Sequence, residues 1–147
     1  IASIITSVER NAPDAQLDGI LIESMINNAI LELMVSLRRD PQFGLVLTVA
    51  SGGVMTEIYK DASTVLVPAD DISLMAALES LHIAPLFNGF RGGPAASRTA
   101  VLDQIKCLVS LMEGTPDIIE IEINPMMVGT DYACCADALI SISSTAA

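Results

Sequence analysis

The chain has 147 residues, 52% of them hydrophobic and 3% aromatic, with a formal net charge of −11. That length fits one domain with a substantial core, and the composition excludes a disordered or fibrous chain. The acidic balance, with no Lys/Arg cluster beyond Arg38-Arg39, argues against a surface that tracks nucleic-acid phosphates, and no apolar run approaches the roughly 20 residues needed to span a bilayer.

Three cysteines, two of them adjacent at Cys134 and Cys135, make no disulfide framework and lack the spacing of a metal site. They fit a reducing, cytoplasmic setting. The start shows no signal-peptide pattern. The chain begins without Met, so little rests on that.

Ile1, Ile4, Ile5 and Val8 recur at helical spacing over residues 1–10, as at the end of a helix. Residues 11–18 contain Pro13 and turn formers and predict a loop. Strands are expected over Gly19 to Met25, Glu32 to Arg39 and Phe43 to Ala50, the second ended by Asp40-Pro41 and the third running into Ser51-Gly52-Gly53. Short strands separated by turn residues predict antiparallel pairing.

Asp71 is the expected N-cap of a helix from Ile72 to Leu81, with Leu74, Leu78 and Leu81 as its apolar stripe. An irregular, glycine-rich stretch spans Asn88 to Pro94. A longer helix is expected from Ala95 to Met112, burying Val101, Ile105, Leu108 and Met112 and capped by Gly114. A strand, a turn near Gly129 to Asp131 and a last strand from Tyr132 to Ile140 complete an α+β reading.

Glu120 to Pro125 read E-I-E-I-N-P. Strand alternation sends Ile119, Ile121 and Ile123 to a core and leaves Glu120, Glu122 and Asn124 in one row on the other face. Carboxylate and amide oxygens are ligands that a hard cation such as magnesium prefers. The same pattern also suits an edge strand with one solvated face.

R-R-D-P-Q-F-G (Arg38 to Gly44), G-G-V-M-T-E-I-Y-K-D (Gly52 to Asp61), P-L-F-N-G-F-R-G (Pro85 to Gly92) and E-I-N-P (Glu122 to Pro125) form an ordered set. The set resembles the carboxy-terminal half of the ATP-grasp domain of ADP-forming (NDP-forming) acyl-CoA synthetases, relatives of succinyl-CoA synthetase, over nearly the whole chain from Gly19 onward. The resemblance implies an ATP-grasp carboxy-terminal subdomain over 1–147, mainly antiparallel sheet with packed helices. The amino-terminal half of the nucleotide site would precede Ile1.

ATP or ADP and Mg2+ are the implied cofactors. Leu21 to Met25 resembles the strand joining the two subdomains, so Glu23, Ser24 and Met25 would meet the adenine. Glu32 would lie near the ribose hydroxyls, where a carboxylate can accept from two O–H donors. Gly52 and Gly53 would lie near the phosphoryl acceptor, and Arg91 would steady a phosphate. Glu122 and Asn124 match the magnesium-binding strand, and Asp137, in A-D-A-L-I, matches an aspartate facing the same ions. Magnesium there would offset charge that develops in phosphoryl transfer.

Each position also has an ordinary structural reading: Glu23 as a solvated residue, Glu32 as a surface ion pair, the glycines as turn formers, Arg91 as a loop cap. His82, the one histidine, lies in S-L-H-I-A-P, which does not match the family's carrier segment, and is read as structural. The chain departs from the family at Ser36 and Ser51, where glycine is common, at Leu139 in place of an arginine, at Asn27-Asn28-Ala29 in place of a glycine turn, and at Gly93 and Ser97.

The resemblance implies part of a ligase interconverting acyl-CoA, ADP and phosphate with acid, CoA and ATP through a phosphohistidine. Its partners would be the CoA-binding and ligase-like domains of the same enzyme; it leaves homo-oligomerisation open. The isolated chain would have little or no turnover, since one wall of a cleft cannot position substrates alone. The alternative is a non-catalytic regulatory or scaffolding module, for example fused to a protein acetyltransferase.

Overall fold

The computed structural model describes residues 1–53 and 61–143. In chain order the elements are α1 (Ala2–Asn11), β1 (Leu31–Asp40), β2 (Gly44–Ser51), β3 (Ala62–Val67), α2 (Asp71–Glu79), a 3-10 turn (Ala84–Asn88), α3 (Arg98–Gly114), β4 (Ile118–Val128), β5 (Ala133–Cys135) and β6 (Ala138–Ile142). The strands form one sheet in the order β3-β2-β1-β4-β5, with β6 also on β4, and every pairing is antiparallel. The α+β architecture expected from the sequence is the one formed.

Alternation in β1 sends Leu31, Leu33, Val35 and Leu37 inward, where they meet Leu47 and Val49 of β2 and Ile121 and Ile123 of β4. Leu74 and Leu78 of α2 and Val101, Ile105 and Met112 of α3 cover that face and close the core. Arg39 ties the layers together: its Nε donates to Ile118 O at 2.8 Å, and its Nη2 donates to the Met112 carbonyl at the end of α3. Helix ends leave carbonyls unpaired, and a guanidinium there satisfies them. Among the described residues, no helix is long and apolar enough to cross a membrane.

Several expectations need correction. Gly19 to Met25 forms no strand; Leu21 and Met25 are each 81% exposed. β-rich composition cannot hold an extended run without a partner ladder. The N-cap of α2 is Asp70, whose carboxylate accepts from Ser73 N at 2.8 Å; Asp71 lies inside the helix and pairs with Lys106. Helix α3 begins at Arg98, because the Ser97 hydroxyl takes the cap, and it runs on to Gly114, with Thr115 rather than Gly114 as its C-cap. Ala62–Val67, unassigned from the sequence, is β3.

Two bulges reshape β4. Ile119 is 41% exposed rather than core, because Ile118 and Glu120 face consecutive β6 residues and leave Ile119 unmatched. On the β1 side, Leu33 faces Met126 and Val35 faces Ile123, so Asn124-Pro125 together oppose Met34. Proline lacks the N–H a ladder needs, and the extra residue falls there. The predicted last strand is split opposite the same point: β5 pairs with Met126–Val128 and β6 with Ile118–Ile123.

Candidate functional site

The face of the sheet away from α2 and α3 carries Glu32, Ser36 and Arg38 on β1, with Glu122 opposite Ser36 and Glu120 opposite Arg38 on β4. Where β2 ends, three successive N–H groups are each held by a different element. Ser51 N donates to Asp61 O at 3.0 Å, Gly52 N to Glu32 O at 2.8 Å, and Gly53 N to Asn124 Oδ1 at 3.1 Å. Gly52 and Gly53 thus cross β1 and reach the β4 bulge. Both need to be glycine. A Cβ on Gly52 would lie 2.5 Å from the Leu33 carbonyl carbon, and Gly53 sits at φ +74° with its missing Cβ directed at Glu32 Oε2.

The bulge also brings in Asp137. Asn124 N donates to Asp137 O at 3.3 Å, and Ala136 N donates to Pro125 O at 3.0 Å, so the crossing between β5 and β6 lies beside Asn124. Asp137 is exposed, and its Oδ1 accepts from Ala138 N at 2.8 Å. The backbones of the two β-segments therefore meet beside Asn124. Among the described residues no three His, Cys, Asp or Glu side chains are grouped to hold a metal ion. Glu122, Asp137 and Asn124 would offer two carboxylates and an amide, oxygen donors of the kind Mg2+ takes alongside waters and phosphate oxygens.

Glu23, Ser24 and Met25, though irregular in backbone, line a cavity of about 440 Å³ with Ile26, Met127, Cys134, Cys135 and Ala136. Met127 lies opposite Glu32 in the β1–β4 register and opposite Cys134 in the β4–β5 register, so this cavity adjoins the acidic row. Its β5 wall was not foreseen; a Cys-Cys pair on a short strand carries no sequence signal for a ligand cavity. Burial raises the Cys135 thiol pKa, and the neighbouring Cys134 adds to the rise.

Arg91 is not joined to this cluster by any described contact. It is exposed, at φ 53°, with its guanidinium 5.2 Å from the Phe90 ring centroid. Of the G-G-V-M-T-E-I-Y-K-D motif, residues 54–60 lie outside the described residues.

His82 keeps its structural reading, in company the sequence did not reveal. Its backbone N–H donates to both Asp61 carboxylate oxygens, at 2.9 and 3.0 Å, and its Nδ1 lies 3.1 Å from Oδ1. The Ser51 hydroxyl donates to Asp61 Oδ2 at 2.5 Å. Burial alone would raise the Asp61 pKa, but the Ser51 hydroxyl, the His82 N–H and the His82 ring together hold it below the ordinary 3.8. A depressed folded-state pKa stabilises the fold above the unfolded value and loses that contribution as pH falls. Thermal melting should therefore drop between about pH 5 and pH 3, and drop less in Asp61→Asn. An equal drop in both proteins would remove Asp61 from the acid response.

Comparison with known proteins agrees with this architecture. A family model described as an ATP-grasp domain matches residues 1–142. The chain belongs to the ATP-grasp family.

Within it, the relatives are CoA-ligating enzymes. A trans-feruloyl-CoA synthase from an unidentified prokaryote is 35% identical over 127 residues, 86% of this chain and 18% of the relative. The beta subunit of an ADP-forming acetate–CoA ligase I from Pyrococcus furiosus is 32% identical over 136 residues, covering 92% and 58%. The solved acetyl-coenzyme A synthetase 1 of Ca. Korarchaeum cryptofilum, with coenzyme A, acetyl-coenzyme A and a phosphorylated phosphohistidine segment, matches with a TM-score of 0.82 at 28% identity, covering 97% and 63%. The same enzyme with coenzyme A and Mg-AMPPCP matches with a TM-score of 0.72 at 26% identity, covering 77% and 53%. The chain therefore spans 18% of the synthase and little more than half of the subunit.

Proposed function

We propose that this chain is the carboxy-terminal subdomain of an ATP-grasp unit and supplies one wall of a Mg-nucleotide cleft in an ADP-forming acyl-CoA synthetase. That enzyme would interconvert acyl-CoA, ADP and phosphate with acid, CoA and ATP by way of a phosphohistidine carried elsewhere in it. The observation that carries the reading is the meeting of Gly53, Asn124 and Glu32, on a sheet face that also bears Glu122, with the Asp137 carbonyl accepting from Asn124 N. Support comes from the named activities of the relatives and from a structural neighbour that holds Mg-AMPPCP.

In this reading the cavity beside Glu23, Ser24 and Met25 takes the base, and Glu32 accepts hydrogen bonds from the ribose. Glu122, Asn124 and Asp137 hold magnesium. The ion supplies Lewis-acid neutralisation of the phosphate oxygens. The chain's own residues orient it: the Gly53 N–H restrains the Asn124 amide, while β6 pairing sets Asp137 beside it. Without the ion, phosphates would meet a predominantly acidic wall on a chain of net charge −11.

Calorimetric titration of the full-length protein with Mg-ADP tests the ribose contact. Glu32→Ala should weaken binding by about tenfold, the loss of a charged acceptor for neutral donors. Unchanged affinity would return Glu32 to a purely structural role.

A further inference from the structure

Among the described residues, Ser51 and Asp61 are the buried polar or charged ones, each 6% exposed, and they are bonded to each other. A carboxylate withdrawn from water is costly unless donors surround it. Here they do: the Ser51 hydroxyl, the His82 N–H and the His82 ring all converge on it. Asp61 meanwhile accepts Ser51 N through its own carbonyl, so residue 51 is held at both main chain and side chain. The next two N–H groups in sequence go to Glu32 O and Asn124 Oδ1. Peptide geometry leaves little slack between them, since consecutive Cα atoms are about 3.8 Å apart. A displacement at Ser51 is therefore passed to Gly53 within two residues.

We infer that Asp61 is a positioning residue for the nucleotide wall: by clamping Ser51, with His82 as its second support, it sets where Gly53 meets Asn124 and Glu32. Ser51, the last residue of β2, is the group through which it acts. The inference rests on the nucleotide-site reading above, and it differs from a core-stability role in one measurable respect. A merely structural pair changes how much protein is folded. A positioning pair changes the affinity of the protein that is folded.

The test is Mg-ADP titration of the full-length protein, well below the melting temperature of each variant, in wild type, Ser51→Ala, Ser51→Thr, Asp61→Asn and Asp137→Ala. Ser51→Ala should bind about tenfold more weakly, in the range found when a supporting hydrogen bond behind a ligand is removed. Ser51→Thr keeps the hydroxyl and should recover most of that loss. Asp61→Asn should lose at least as much as Ser51→Ala; if it fails to fold, the alanine and threonine pair decides alone. Wild-type affinity in Ser51→Ala, with binding lost in Asp137→Ala, overturns the positioning role and leaves the site reading standing. Undiminished binding in both Asp137→Ala and Glu32→Ala overturns the site reading and this inference with it.

Discussion

Asp137→Ala in the full-length enzyme is expected to lower ATP-dependent CoA-thioester formation by about two orders of magnitude or more, with folding intact. On the proposed magnesium site, losing Asp137 as a ligand would forfeit part of the several kcal/mol of charge stabilisation that a bound ion supplies, and each 1.36 kcal/mol is about tenfold in rate. The structural cost should be small. The backbone carbonyl of Asp137, which alanine keeps, accepts from Asn124 N, whereas its exposed carboxylate bonds only the adjacent Ala138 N among the described contacts. Surface changes of that kind shift stability by about 0.5 kcal/mol or less. Thioester assay alongside thermal melting checks both halves. Wild-type turnover in a folded variant would remove Asp137 from the metal site.

Gly52→Ala should act in the opposite sense, on stability before chemistry. The added methyl would sit 2.5 Å from Leu33 C, 2.6 Å from Leu33 O and 2.8 Å from Leu33 N, all backbone atoms of a central strand. No side-chain rotation relieves such a contact, so β2 must draw away from β1. Overpacking of this kind costs about 2–3 kcal/mol, read as a lower denaturant midpoint at unchanged slope. Gly53→Ala is the informative contrast. Its methyl meets Glu32 Oε2, the end of a flexible side chain, at a residue with φ +74°. Strain there costs about 1 kcal/mol, and on the proposed ribose contact the displaced Glu32 would weaken nucleotide binding. A Gly52→Ala protein as stable as wild type would mean that β2 does not approach β1 this closely.

The residues of the acidic row were legible because the pieces are local. Alternation across E-I-E-I-N-P sets Glu120 and Glu122 on one face, and the glycine pair falls in G-G-V-M-T-E-I-Y-K-D. The helices were legible for the same reason: Leu74 and Leu78, or Val101, Ile105 and Met112, fall on one face at a 3.6-residue period and are buried there. Their ends were one to three residues off, because Asp70 and Asp71, or Ser97 and its neighbours, compete for the same capping role.

What depends on a partner was not legible. Gly19 to Met25 has strand composition and no strand beside it, whereas Ala62–Val67 becomes β3 by pairing with β2. Asp61 lies 10 residues from Ser51 and 21 from His82, so no short-range pattern joins the three. Periodicity reports which way a side chain faces along its own segment, and that much of this protein is written in local order. Which strand lies alongside, where Pro125 forces a bulge, and whether Asn124, Gly53 and Asp137 meet are settled by hydrogen-bond pairing between distant segments, since backbone groups accept any partner that geometry allows.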